Sequence, residues 1–199
     1  MNWLFSRFSD LDICFLRFIH HHRVTALDGF LYYVSFATTF VSISILAAVL
    51  FLSLKNKSFE LRVKFFKLIS VLIISAIVSL ILKHSIVRSR PFENYPDIEK
   101  LSEAANSSFP SGHTIEAFAM ALAVSILFQK RKCSVPIYVW ALLIAYSRMA
   151  LGVHYPFDVI GGIITGSVTS YLTLKLVDLK IGKKTGKWKD NFKNLSEKE

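Results

Sequence analysis

From residue 30 to residue 54 the chain carries no charge at all. No other feature constrains the fold as strongly. A hydrocarbon layer about 30 Å thick is crossed by roughly 20 apolar residues in an α-helix. Within that layer the backbone must satisfy its own hydrogen bonds, and a helix does so inside one segment. Further apolar runs follow at about 65–82, 114–128, 135–149 and 159–177. Together they predict an all-α, multi-pass transmembrane bundle of about five spans. The third and fourth runs are short for a crossing and are expected to gain turns at their ends, the third reaching back towards Ser111 and His113. The composition agrees: 53% of residues are hydrophobic and 19% charged, where ordinary soluble domains carry about a quarter charged residues.

The first segment is different. Between residues 3 and 19, Leu4, Phe5, Phe8, Leu11, Phe15, Phe18 and Ile19 recur at helical spacing with Arg7, Asp10, Asp12 and Arg17 between them. This pattern predicts an amphipathic helix lying in the membrane interface. It lacks the clean apolar core and small-residue site of a cleaved leader. The layout expected is a single domain over 1–199: an interfacial segment (1–28), a transmembrane core (30–177) and a basic, mobile tail (178–199). Cys14 and Cys133 fall on opposite sides of the layer in this layout and are read as two inert, unpaired residues.

The net charge of +10 would suggest nucleic acid as a partner for a soluble protein. Here the basic residues sit at the ends of apolar runs, so no nucleic-acid role is expected. Lys55, Lys57, Arg62 and Lys64 follow the first span; Lys130, Arg131 and Lys132 follow the third; a lysine-rich tail follows the fifth. With alternating spans these three segments share one side, and the positive-inside rule makes that side the cytoplasm. Lys67 is expected to snorkel towards it. Segments 83–112 and 147–158, with the N-terminal helix, then face the opposite, extracytoplasmic side together.

Those two outer segments hold ionisable residues at or near span ends, where charge is costly and points to function. Lys83, Arg90 and Arg148 suit one phosphate group: arginine grips oxygens in pairs and lysine adds a point charge. Ser111 and Gly112 open the third span, where backbone N–H groups attract anions. His154 lies four residues before Asp158, a spacing of about one helical turn. A carboxylate on one imidazole nitrogen fixes the tautomer and leaves the other nitrogen free for acid–base or nucleophilic work. His113 is a second candidate for proton transfer. Glu116 is read as a favourable charge near a helix N-terminus, and Glu93, Asp97, Glu99 and Glu103 as a solvated acidic face. His84 and Arg88 are candidates for headgroup binding. Phe92, Tyr95 and Phe109 either line a headgroup pocket or anchor the loop. The run His20-His21-His22 is read as exposed and interfacial.

Three motifs stand in order: Lys83-HSIVRS-Arg90-Pro91, Pro110-Ser111-Gly112-His113, and Ser147-Arg148-MALGV-His154-YPF-Asp158. Together they resemble the tripartite signature K-x6-R-P, P-S-G-H and S-R-x5-H-x3-D of the type 2 phosphatidic acid phosphatase superfamily. That superfamily includes lipid phosphate phosphatases, glucose-6-phosphatase and vanadium haloperoxidases. The resemblance implies that His154 is the nucleophile, forming a phosphohistidine, with Asp158 orienting it. It implies that His113 is the general acid and then the base for water. Lys83, Arg90, Arg148, Ser111 and Gly112 would hold the phosphoryl oxygens, and no metal or other cofactor is implied.

The function expected is hydrolysis of a membrane lipid phosphate or diphosphate, with undecaprenyl diphosphate as first candidate. Lipid A, phosphatidylglycerol phosphate and phosphatidic acid are the alternatives. A vanadate-dependent haloperoxidase is disfavoured by five spans. A non-catalytic transporter or scaffold is the reading of another class, and the chain lacks the internal repeats common in transporters.

Overall fold

The computed structural model describes residues 9–104 and 107–196, with side chains to Lys180. Its regular elements among these residues are helices. Helix α1 is Ser9–His21, and a 3-10 turn, Thr25–Leu27, leads into α2, Asp28–Phe36. The bundle continues with α3, Thr38–Lys55, and α4, Phe59–Ser85. A one-turn helix, Pro91–Asn94, interrupts the long loop before α5, Gly112–Phe128. Helices α6, Arg131–Ala150, and α7, Pro156–Ser196, complete the chain. The amphipathic residues expected before Ser9, the last three tail residues and the tail side chains beyond Lys180 lie outside what is described.

Four helices are long and apolar enough to cross a membrane: α3, α4, α6 and the stretch Pro156–Lys180 of α7. Their outward faces expose Phe40, Phe51, Phe66, Ile77, Leu142, Ile164 and Leu172. Their inward faces bury small polar residues, among them Ser42, Ser53, Ser75, Ser170 and Thr173. Apolar outside and small or polar inside is the pattern of helices solvated by lipid, where close packing and interhelical hydrogen bonds replace the hydrophobic drive. The chain is an integral membrane protein. Helix α5 is the shorter fifth span, 17 residues or about 25 Å long. It sits at the centre, with Ile115, Ala117, Ala119, Met120, Ala121 and Ala123 essentially without exposure.

Helices α5 and α7 approach most closely. A Cβ added at Gly166 would lie 2.4 Å from the Ile115 carbonyl oxygen, and one at Gly162 would lie 2.9 Å from the Ser111 carbonyl oxygen. Glycine, four residues apart on one face of α7, lets the two backbones touch. The Ser170 hydroxyl donates to the Ala119 carbonyl at 2.9 Å across the same seam. This contact holds the start of α5 against the start of α7.

The sequence expectations need three adjustments. The charge-free run 30–54 is two helices, not one. Thr38 Oγ1 donates back to the Ser35 carbonyl at 2.7 Å, and the Ala37 N–H faces both the Tyr33 and Ser35 carbonyls. Such back-bonding by a hydroxyl residue bends or breaks a helix. The basic segment after residue 177 continues α7 as helix to Ser196 instead of leaving it. Lys67 does not snorkel alone; it pairs with Asp178 of α7. The expected additions to the short spans are present: α5 starts at Gly112 and α6 at Arg131.

Candidate active site

A cavity of about 620 Å³ opens between α3, α4 and α5. One end is lined by Lys83, Arg90, Gly112, His113, Arg148 and His154. Five separate segments supply them. Lys83 is in the last turn of α4, and Arg90 caps the one-turn helix. Gly112 and His113 open α5, Arg148 ends α6, and His154 stands in the loop before α7. The other end is apolar, with Leu72, Ile73, Ala76 and Leu80 of α4. A charged head and an apolar body thus share one cavity.

His154 is almost fully buried, at 2% exposure. Its Nε2 lies 3.4 Å from Arg90 Nη1. A guanidinium only donates, so this nitrogen carries the lone pair and the ring proton sits on Nδ1. Nδ1 faces Asp158 Oδ2 at 3.5 Å. That is too long for a good hydrogen bond, and Nδ1 has no closer partner among the described residues. Catalytic contacts of this kind tighten when substrate is bound. Burial pushes the His154 imidazole down to about 3 against the opposing pull of Asp158, and the nearby Arg148 cation adds to the fall. The ring is therefore neutral across the ordinary pH range.

Asp158 does not line the cavity; it stands behind His154 with 0% exposure. Its Oδ1 accepts from Arg88 Nη1 at 2.5 Å. Its Oδ2 accepts from the Ser108 hydroxyl at 2.5 Å and from the Tyr155 N–H at 3.0 Å. Arg88 also donates through Nη2 to Asp12 Oδ2 at 2.5 Å and stacks on the Tyr155 ring, 3.9 Å from its centroid. Burial opposes the Arg88 cation, but the two carboxylates outweigh it and hold its pKa above the ordinary value. Arg88 is thus turned away from any headgroup, contrary to the expectation for it. His84 is exposed and bonds the Leu80 carbonyl within its own helix.

The cations are held in different ways. Lys83 Nζ donates to the Ser107 carbonyl at 2.9 Å. Arg90 Nη1 donates to the Val153 carbonyl at 2.8 Å, and its own N–H is capped by Glu93. Arg148 reaches the Ser35 hydroxyl and, at 3.3 Å, that of Ser102. Its buried Nε has no protein partner among the described residues. Ser111 is placed differently from its expected role. Its N–H bonds the Asp158 carbonyl at 3.1 Å, and its buried hydroxyl accepts from Thr114 at 2.8 Å. It ties α5 to α7 instead of facing the cavity.

Other outer-loop residues also depart from the sequence reading. Asp97 and Glu99 are not merely solvated: they bond Arg17 and Arg23, pinning the loop to the N-terminal segment. Glu103 lines the cavity. Glu116 lines it too, accepting from Thr39 at 3.0 Å. His20 is buried, its Nδ1 on the Ala150 carbonyl at 2.9 Å and its Nε2 accepting from the Glu99 N–H; His21 and His22 are exposed. Tyr95 packs in a cluster with Ile13 and Leu16 of α1, and Phe92 in one with Leu31 of α2 and with Ala150, Leu151 and Val153; Phe109 abuts Gly161. Asp12 and Ser108 were missed as site residues. Asp12 had one visible signal: it shares a face with Leu16 and His20, and all three are buried while Leu11, Phe15 and Phe18 point outward.

Residues 64–181 match the PAP2 superfamily. The chain belongs to the PAP2 superfamily. The matched region begins in α4, so α1, α2 and α3 lie outside it. Among PAP2 relatives, undecaprenyl-diphosphatase BcrC of Bacillus subtilis is 36% identical over 90 residues, 45% of this chain and 46% of that one. The aligned part thus spans about half the length of that relative. A lipid A 4'-phosphatase of Bacteroides thetaiotaomicron is 28% identical over 172 residues, covering 82% of this chain and 76% of the relative. The crystal structure of Aquifex aeolicus LpxE superposes with a TM-score of 0.72 at 28% identity, covering 83% of this chain and 95% of that one.

Proposed function

We propose that this PAP2 protein is a membrane lipid phosphatase that works through a phosphohistidine on His154. The observation carrying the reading is a buried neutral imidazole whose lone-pair nitrogen faces a cavity rimmed by Lys83, Arg90 and Arg148, with Asp158 behind it. An anion in that cavity would give Arg148 Nε the partner it lacks among the described residues. The lipid chain would run along the apolar α4 side of the cavity.

In the first half-reaction His154 Nε2 attacks phosphorus and the P–O bond to the lipid breaks. His113, in the imidazolium form that the bound phosphate dianion favours, delivers its proton to the leaving oxygen and is left neutral. As Nε2 becomes bonded, the ring turns cationic, and Asp158 offsets that charge. The three cations stabilise charge spreading over the equatorial oxygens, which is most of the work in phosphoryl transfer. In the second half-reaction His113 takes a proton from water, which attacks phosphorus and breaks the P–N bond. Phosphate leaves and His154 is neutral again.

The basic loops after α3 and α5 and the lysine-rich end of α7 support a cytoplasmic C-terminus and an extracytoplasmic site. Undecaprenyl diphosphate is the first substrate to test, with lipid A and phosphatidylglycerol phosphate beside it. The experiment is phosphate release by purified protein in detergent with EDTA present, comparing these lipids and His154→Ala. Release that persists in EDTA and vanishes in the variant is expected. Folded wild-type protein that releases phosphate from none of the lipids would sink the proposal in favour of a non-catalytic membrane protein.

A further inference from the structure

We propose that Asp12 and Arg88 are positioning residues that lock the Asp158 carboxylate in the orientation His154 needs, which makes the interfacial helix α1 part of the catalytic apparatus. The inference rests on the His154–Asp158 reading above. Neither residue is specified by the three motifs, and Asp12 lies outside the segment that matches the PAP2 superfamily.

The geometry is a chain of three charges. Asp12 has 1% exposure and the Arg88 side chain 9%. One face of the Arg88 guanidinium is covered by the Tyr155 ring. Nη1 takes Asp158 and Nη2 takes Asp12, each at 2.5 Å. Asp12 Oδ1 also accepts the Phe157 N–H at 2.9 Å, at the first turn of α7 beside Asp158. So α1 grips both Arg88 and the backbone next to the carboxylate that Arg88 holds.

The consequence for Asp158 is directional. A carboxylate accepts along two oxygens. With Oδ1 committed to Arg88, Oδ2 is the oxygen turned to His154, where Ser108 and the Tyr155 N–H fix it. Without Arg88 the group can rotate about χ2, a soft torsion for aspartate. It would also lose the cation that balances its buried charge. Asp12 acts one step further back. It balances the second half of the guanidinium, so that Arg88 does not turn towards the three cavity cations or the substrate phosphate.

The other face of α1 gives this arrangement its place. Leu11, Phe15 and Phe18 are 55–62% exposed on the side away from the protein. A helix with this pattern beds in a bilayer interface. One helix therefore meets the lipid surface on one side and holds the catalytic pair on the other.

The test uses full-length protein in detergent, with wild type, Arg88→Ala, Arg88→Lys and Asp12→Asn. Each is checked for a monodisperse gel-filtration peak. The readouts are kcat, KM and the inhibition constant of sulfate, a tetrahedral anion that fills the same cavity without bonding His154. Arg88→Ala is expected to lower kcat about 10–100-fold, the scale of small misplacement of a reacting group. KM and sulfate inhibition should stay within about threefold, because the phosphate cradle is untouched. Arg88→Lys should recover part of the loss, and millimolar guanidinium should partly rescue Arg88→Ala. Asp12→Asn, which keeps an acceptor for the Phe157 N–H, should lose kcat in the same manner but less. In the double variant it should add little to Arg88→Ala.

A kcat within twofold of wild type in Arg88→Ala would overturn the proposal. So would sulfate affinity falling in step with kcat, since Arg88 would then be holding the phosphate. If Arg88→Ala does not purify as a folded protein, Asp12→Asn decides alone by the same split between kcat and sulfate affinity. An inactive wild type would count against the phosphatase reading itself, and an active wild type with indifferent variants against this inference alone.

Discussion

Gly166→Ala adds one methyl group where the backbones of α5 and α7 touch. The new Cβ would sit 2.4 Å from the Ile115 carbonyl oxygen and 3.1 Å from its carbon and Cα. All three are backbone atoms, so no side chain can swing aside. Ordinary contact needs about 3.4 Å or more, so α5 and α7 must part by roughly 1 Å. Overpacking of this kind costs about 1–3 kcal/mol. It also has a functional consequence, because the seam leads to the site. Ser111 at the head of α5 bonds the Asp158 carbonyl at the head of α7, and parting the helices moves His113 relative to the His154–Asp158 pair. A misplacement near 1 Å lowers rate by up to about 100-fold. The control is Gly29→Ala, the same chemical change where an added Cβ meets nothing within 4 Å. In an exposed helix position it should leave stability unchanged or raise it by about 0.4–1 kcal/mol. Thermal unfolding in detergent and kcat measured side by side for both variants would check this. If Gly166→Ala unfolds and turns over like Gly29→Ala, the claim that the α5–α7 seam sets the catalytic geometry is wrong.

Three further outcomes are expected. His113→Asn should lower kcat on a lipid phosphate about 10²–10⁴-fold, the range for a lost general acid, and much less on p-nitrophenyl phosphate, whose leaving group needs no proton. Equal losses on both would remove His113 from that role. Because the folded His154 is held near 3 and an unfolded histidine titrates near 6.5, the unfolded chain binds the extra proton between those values. Stability from this residue is full above about pH 6.5 and falls as pH drops towards 3, by up to about 1.4 kcal/mol per pH unit. Denaturation at pH 7 and pH 4.5 should show a drop that His154→Gln reduces, and an unchanged drop in the variant would contradict the buried neutral ring. Glu116 stands one helical turn below His113 with Oε1 unpaired among the described residues. Glu116→Gln should therefore raise kcat/KM for a lipid diphosphate relative to a monophosphate by roughly 3–10-fold, as repulsion of the second phosphate is removed. No change in that ratio would mean the leaving group does not pass Glu116.

The charged rim of the cavity was legible because each member is a chemical exception to its surroundings: a cation or imidazole at or near the end of an apolar run. Lys83, Arg90, His113, Arg148 and His154 needed no tertiary structure to be singled out, and the layout of apolar helices followed from hydrophobicity alone. Length and polarity against a bilayer of known thickness leave few options. Arg88 was visible but misread, since a cation near the site looks the same whether it faces substrate or a carboxylate. Asp12 offered only its place on one face of α1 with Leu16 and His20, and Ser108 was not legible, because a short polar side chain has no distinctive local signature. The same holds for the break at Ala37, which depends on where the Thr38 hydroxyl points. What the apolar runs and their charged ends decided was therefore the class of structure and the chemistry at its rim. What only the tertiary structure decided was which charges meet: that Arg88 joins Asp12 to Asp158, that Ser111 serves the α5–α7 seam, and that Glu116 enters the cavity. Hydrophobic burial is a property each residue carries with it, whereas a hydrogen bond between residues 76 or 145 positions apart exists only once the chain has brought them together.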